Sequence, residues 1–186
     1  MTRPETPDEV FLSLEDEARQ AAEVAARSER HQRLQRASEV ATWTGTLEDL
    51  AERRLPVVLR VVGGRAFRGN LIAAEPDLVA LRSGAGQLVV VRTAAVRLLR
   101  PQPGVPVAVA MGDRQRVAGR RMVEVLQQLT EDRARVLLGL DGLDEPLAGR
   151  LRALGEDVVS LELDDAAPRA LVYLPVGAVQ DVVVDP

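Results

Sequence analysis

The sequence predicts a mainly β fold with helices (α+β): a long N-terminal helix, then two small units in tandem, each a helix plus five strands. Three observations carry this prediction. Residues 8–40 place apolar side chains at helical spacing. The rest of the chain breaks into short apolar runs punctuated by Gly and Pro, the pattern of short strands and tight turns. The order of those runs then occurs a second time, which marks an internal repeat.

The predicted organisation is a helical extension at 1–45, a first unit at 46–100, a linker at 101–121 and a second unit at 122–186. In the extension the apolar stripe, from Val10 and Leu14 to Leu34 and Val40, consists mostly of Ala. Acids lead (Glu15, Asp16, Glu17) and arginines follow (Arg27, Arg30, Arg33, Arg36), an order that suits the helix dipole. Thr46-Leu47-Glu48-Asp49 resembles a capping box opening a short helix, which Pro56 ends. Strands are predicted at 57–62, 67–74, 78–82, 88–91 and 95–99, with Gly63-Gly64 and Gly84-Ala85-Gly86 as turns. Gly69, inside the second run, marks a bend or bulge. Residues 101–116, rich in Pro and Gly, read as linker with a short strand at Val105 to Ala110.

The second unit repeats these features. A helix from Val123 to Asp132 carries Leu126 and Leu129 where the first carries Leu47 and Leu50. Gly149-Arg150-Leu151 answers Gly69-Asn70-Leu71, and Asp157-Val158-Val159-Ser160-Leu161 answers Asp77-Leu78-Val79-Ala80-Leu81. Leu171-Val172-Tyr173-Leu174 answers Leu88 to Val91, and Ala178-Val179 answers Ala95-Val96.

Composition narrows the chemistry. The chain has no Cys, one His and no Lys, so all 24 basic residues are Arg. Thiolate sites, Schiff bases and a P-loop lysine are excluded, and nucleophile–base pairs are scarce; the expectation is no enzyme, no cofactor and no metal. The carboxylate groups Asp144-Glu145, Glu156-Asp157 and Glu162-x-Asp164-Asp165 read as solvated acidic turns. No run approaches the ~18–20 apolar residues of a bilayer span, and the N-terminus lacks a signal-peptide core. The expectation is a cytoplasmic protein without membrane contact or an evident small-molecule substrate.

Net charge is −4, unevenly spread: residues 1–46 carry −3, residues 47–121 carry +7 and residues 122–186 carry −8. Such asymmetry marks an anion-binding half, or two halves that attract one another within a chain or between chains.

A helix followed by five strands, with Gly64, Gly69, Leu71, Glu75 and Leu78 to Leu81, then Val91-Arg92-Thr93-Ala94-Ala95-Val96, resembles the Sm/LSm (Hfq-like) family; Leu174 to Val179 matches the second motif again. PRC-like and SH3-like barrels are the alternatives. The resemblance implies two barrels, rings built by pairing strands four and five, and RNA contact; with two units per chain, three chains would make a pseudo-hexamer. The chain departs from the family at the uridine-reading Asn, here Val79, at the Gly after Arg92, here Thr93, and at the second copy's Arg, here Pro175.

The basic first unit supplies the candidate site: Arg65, Arg68 and Arg92, with Arg60 and Arg82, since a guanidinium fork donates two hydrogen bonds to phosphate. With aromatics at 2%, stacking on bases is nearly absent, so contact with single-stranded RNA would be phosphate-dominated, weakly specific and salt-sensitive. Two functions are expected to compete. One is an RNA-associated protein that also self-associates through its edge strands; the other is a protein-interaction scaffold without nucleic acid.

Overall fold

The computed structural model describes residues 7–104, 119–165, 168 and 170–184. Among the described residues three helices, α1 (Pro7–Glu39), α2 (Trp43–Glu52) and α3 (Met122–Glu131), accompany ten strands: β1 (Pro56–Val61), β2 (Ala66–Ala74), β3 (Leu78–Ser83), β4 (Leu88–Arg92), β5 (Val96–Pro101), β6 (Arg135–Leu140), β7 (Leu147–Leu154), β8 (Val158–Leu163), β9 (Leu171–Pro175) and β10 (Val179–Val184). The mixed α+β class and the ten predicted strands are as expected. The linker strand predicted at Val105 to Ala110 lies outside the described residues.

All ten strands belong to one antiparallel sheet in the order β5-β1-β2-β3-β4-β10-β6-β7-β8-β9. The two predicted five-stranded units are therefore joined in one continuous sheet that does not close. Within each half the fifth strand pairs with the first: β5 lies on β1 and β10 on β6. The fourth strand of the first half pairs not with its own fifth but with that of the second half, with Asp181 opposite Val91 and Val184 opposite Leu88. That seam joins the halves and leaves β5 and β9 as outer edges.

The two halves share their irregularities. Both second strands shift register past their midpoint, between Leu71 and Ala73 and between Leu151 and Ala153. Gly69 and Gly149 precede these bulges for the same reason. A Cβ on Gly69 would collide with the backbone carbonyl of Arg82, and one on Gly149 with that of Glu162. The glycines let the third strand press against the second and bend the sheet. Both fourth strands end in a three-residue 3-10 turn, Thr93–Ala95 and Val176–Ala178. The amide after each strand donates back to an aspartate carbonyl, Thr93 to Asp77 at 2.9 Å and Val176 to Asp157 at 2.8 Å.

Helix α2 starts earlier than the capping box at Thr46 predicted. Thr42 is its N-cap, its hydroxyl accepting from the Gly45 amide at 3.0 Å, while the Thr46 hydroxyl donates to the Thr42 carbonyl at 2.8 Å. Thr42 reaches an amide of the first turn from extended backbone, which Thr46 inside the helix cannot. Helix α1 matches its predicted span within a residue at each end. Its described side chains are exposed apart from the half-buried Leu34.

Leu47, Leu59, Leu71, Val79, Leu81 and Val91 are central to the first core. The second, around Met122, Leu126, Leu138, Leu151 and Leu161, also takes in Leu78, Ala80 and Val90 from the first half. Strand β3 thus serves two cores: Val79 and Leu81 point into its own, Leu78 and Ala80 into its neighbour's. This explains its run of four buried residues, the mark of a strand covered on both faces.

Candidate functional site

Polar contacts across the seam converge on two nodes. At the first, Arg65, just before β2, donates to the Asp181 carboxylate of β10 at 2.6 Å, with its guanidinium 5.1 Å above the Phe67 ring. Asp181 is only 1% exposed. Burial raises its carboxyl above the ordinary value of 3.8, against the Arg65 cation and the hydrogen bonds from the Gly139 amide and Arg65, which lower it. A side chain on Gly139 would occupy the space of the Arg65 guanidinium and the Asp181 carboxylate, so the glycine makes room for the pair.

The second node centres on Asp77, in the β2–β3 turn. One carboxylate oxygen accepts from Arg92 at 3.0 Å and the other from the Met122 amide at 2.7 Å, at the first turn of α3. An acid there meets the positive end of the helix dipole. Arg92 also donates to the carbonyls of Val179 at 3.1 Å and Val176 at 3.2 Å. Sequence reasoning missed Asp77, Asp181 and Gly139. The available signal was a lone acid in the apolar run of β10 and an aspartate at matching turns, Asp77 and Asp157.

The five candidate arginines divide. Arg65 and Arg92 are held inside the chain at these nodes. Arg60, Arg68 and Arg82 are exposed. The registers Arg60 with Ala66, Val58 with Arg68 and Asn70 with Arg82 put these three on the outward face of β1, β2 and β3. Arg100, opposite Val58, extends that face onto β5. The Arg82 guanidinium also donates to the Gly86 carbonyl at 3.0 Å. Of the second half's carboxylates, Asp164 is paired with Arg135 at 2.7 Å and Glu162, which lies in β8 and not in a turn, with Arg152. No group of three or more His, Cys, Asp or Glu among the described residues could hold a metal ion. No helix among them is long and apolar enough to cross a membrane.

The repeat allows the seam to be compared with the outer edges. Counting along the shared registers, 88–92 correspond to 171–175 and 96–101 to 179–184. At the seam Leu78, Val90 and Met122 are buried. Their counterparts at the edges, Val158, Tyr173 and Trp43, are exposed, Tyr173 by 69%. Leu171, the counterpart of half-buried Leu88, and Leu98, the counterpart of Asp181, are exposed as well. Both halves therefore carry an apolar interface surface, covered in the middle of the molecule and bare at its ends.

Compared with known proteins, the chain matches no family model and no curated protein.

Proposed function

We propose that this protein is a non-enzymatic assembly module that joins copies of itself head to tail, β9 of one chain pairing with β5 of the next. The supporting observation is the seam: the chain already makes this junction once internally, and its two outer edges keep the apolar residues of a second one uncovered. Exposed edge strands recruit further strands through their unpaired backbone groups. A head-to-tail interface closes into a ring where its rotation allows and otherwise runs on as a filament; three chains with six units is the closure that likeness to an Sm ring would give. Charge on β9 tests the reading. Leu171→Glu/Tyr173→Glu should give a species of single-chain mass while the wild type stays associated. A variant that associates as the wild type does would refute β9 as the junction.

A second reading, contact with single-stranded RNA, is favoured by the outward row of Arg68, Arg82 and Arg100 beside Arg60. It predicts oligonucleotide anisotropy that weakens steeply with salt and falls at least about tenfold in Arg68→Gln/Arg82→Gln/Arg100→Gln, a loss in line with three phosphate contacts. Absence of binding even at low salt would leave the protein–protein role alone.

A further inference from the structure

The junction between chains cannot copy the seam within the chain, because the residues that close the seam change at its counterpart. Counting back from the shared register of Gly69 and Gly149, Arg65 corresponds to Glu145. Counting along β1 and β6, Gly139 corresponds to Arg60, and the pair Gly139 with Asp181 becomes Arg60 with Leu98. Arg92 is replaced by Pro175, which cannot donate to the neighbour's carbonyls. The turn that presents an arginine to a buried aspartate inside the chain thus presents a glutamate at its outer end. The strand that receives it carries an exposed arginine where the internal seam has room only for glycine. Arg60 and Glu145 are both exposed, and neither is in an ion pair among the described residues.

We propose that Glu145 of one chain pairs with Arg60 of the next, so that the junction between chains uses an ion pair of opposite polarity to the Arg65–Asp181 pair within each chain. This rests on the head-to-tail reading and adds its recognition element. In the same alignment β9 and β5 meet with Leu174 opposite Leu98 and Tyr173 opposite Leu99. The Asp157 carboxylate stands toward the α2 amide of Trp43 as Asp77 stands toward that of Met122. The inverted polarity has a consequence. An outer edge offered to an internal strand would set Glu145 against Asp181, or Arg65 against Arg60, and like charges brought together at an interface disfavour the wrong partner. The two junctions are therefore not interchangeable, and a chain adds only at its ends.

Charge exchange tests this in the full-length protein, with molar mass in solution as the readout. Glu145→Arg alone and Arg60→Glu alone each bring like charges together and should weaken association at least about tenfold. The double variant Arg60→Glu/Glu145→Arg should recover it. The two single variants mixed in equal amounts should also associate, since each offers at one end the charge that the other's end lacks. Both positions are exposed, so the circular dichroism spectrum of each variant should match the wild type. If the single variants associate as tightly as the wild type, the ion pair is refuted and head-to-tail pairing stands on its apolar contacts. A wild type of single-chain mass would overturn the pairing as well.

Discussion

Arg65 shows how one side chain can carry a structural task that its type does not announce. A cation in a glycine turn of a basic half invites a reading as a phosphate ligand. It is instead inserted between halves, on a carboxylate that solvent barely reaches. Removing one member of a buried pair leaves the other charged and unsolvated, so Arg65→Ala should cost about 3–5 kcal/mol of stability by urea denaturation. The partner predicts a pH dependence. Because burial holds the Asp181 proton more tightly in the folded chain than in the unfolded one, the contribution of this group is full below pH 3.8 and is lost as pH rises through the higher folded value. Asp181→Asn cannot ionise and escapes that loss. Its stability relative to the wild type should therefore rise as pH increases from 3.8 across that window. A difference that stays flat with pH would show that Asp181 does not titrate out of line.

Among the elements, helices α1 and α3 and the strands of the first half were the most legible. Period and punctuation set them within a residue or two, because Gly and Pro end apolar runs for local steric reasons. Gly69 was recognised as a bend from its place inside a strand and Gly149 as its counterpart in the repeat, and the packing supplies the reason: the adjacent strand's carbonyl lies where a Cβ would be. Gly69→Ala and Gly149→Ala should each cost about 1–3 kcal/mol in chemical denaturation, the range for forcing extra atoms into packed structure. A neutral result at either would mean that the bulge relaxes and the glycine is dispensable. The start of α2 was less legible, since Thr42 and Thr46 both suit a cap and only the chain's approach to the helix decides between them. The fate of the arginines was hidden for a different reason. Whether Arg92 faces solvent or the carbonyls of Val176 and Val179 depends on how two distant segments dock, and nothing local to Arg92 encodes that.

At the scale of the whole molecule, the duplication could be read from sequence and the pairing of a fourth strand with the next unit's fifth was implied by the resemblance, but that this pairing occurs within one chain could not be read. Two copies of a five-stranded unit suggest two small, strongly curved barrels with strands four and five as open edges. The fourth strand of one continues into the fifth of the other, so ten strands form one sheet with a buried seam and two bare ends. The division of charge acquires a meaning here, since the acidic half supplies Asp181 to Arg65 within the chain and, at the proposed junction, Glu145 to Arg60 of the next chain. Helix α1 lies outside this scheme. Its described side chains are largely exposed, and the Arg33–Glu29 pair on it joins residues one turn apart.

Complementary open ends should be visible in the molar mass of the wild-type chain, measured by light scattering over a concentration series. The expected species has a whole-number multiple, two or more, of the 20.2 kDa chain mass. A mass of 20.2 kDa at every concentration would contradict the complementarity of the ends.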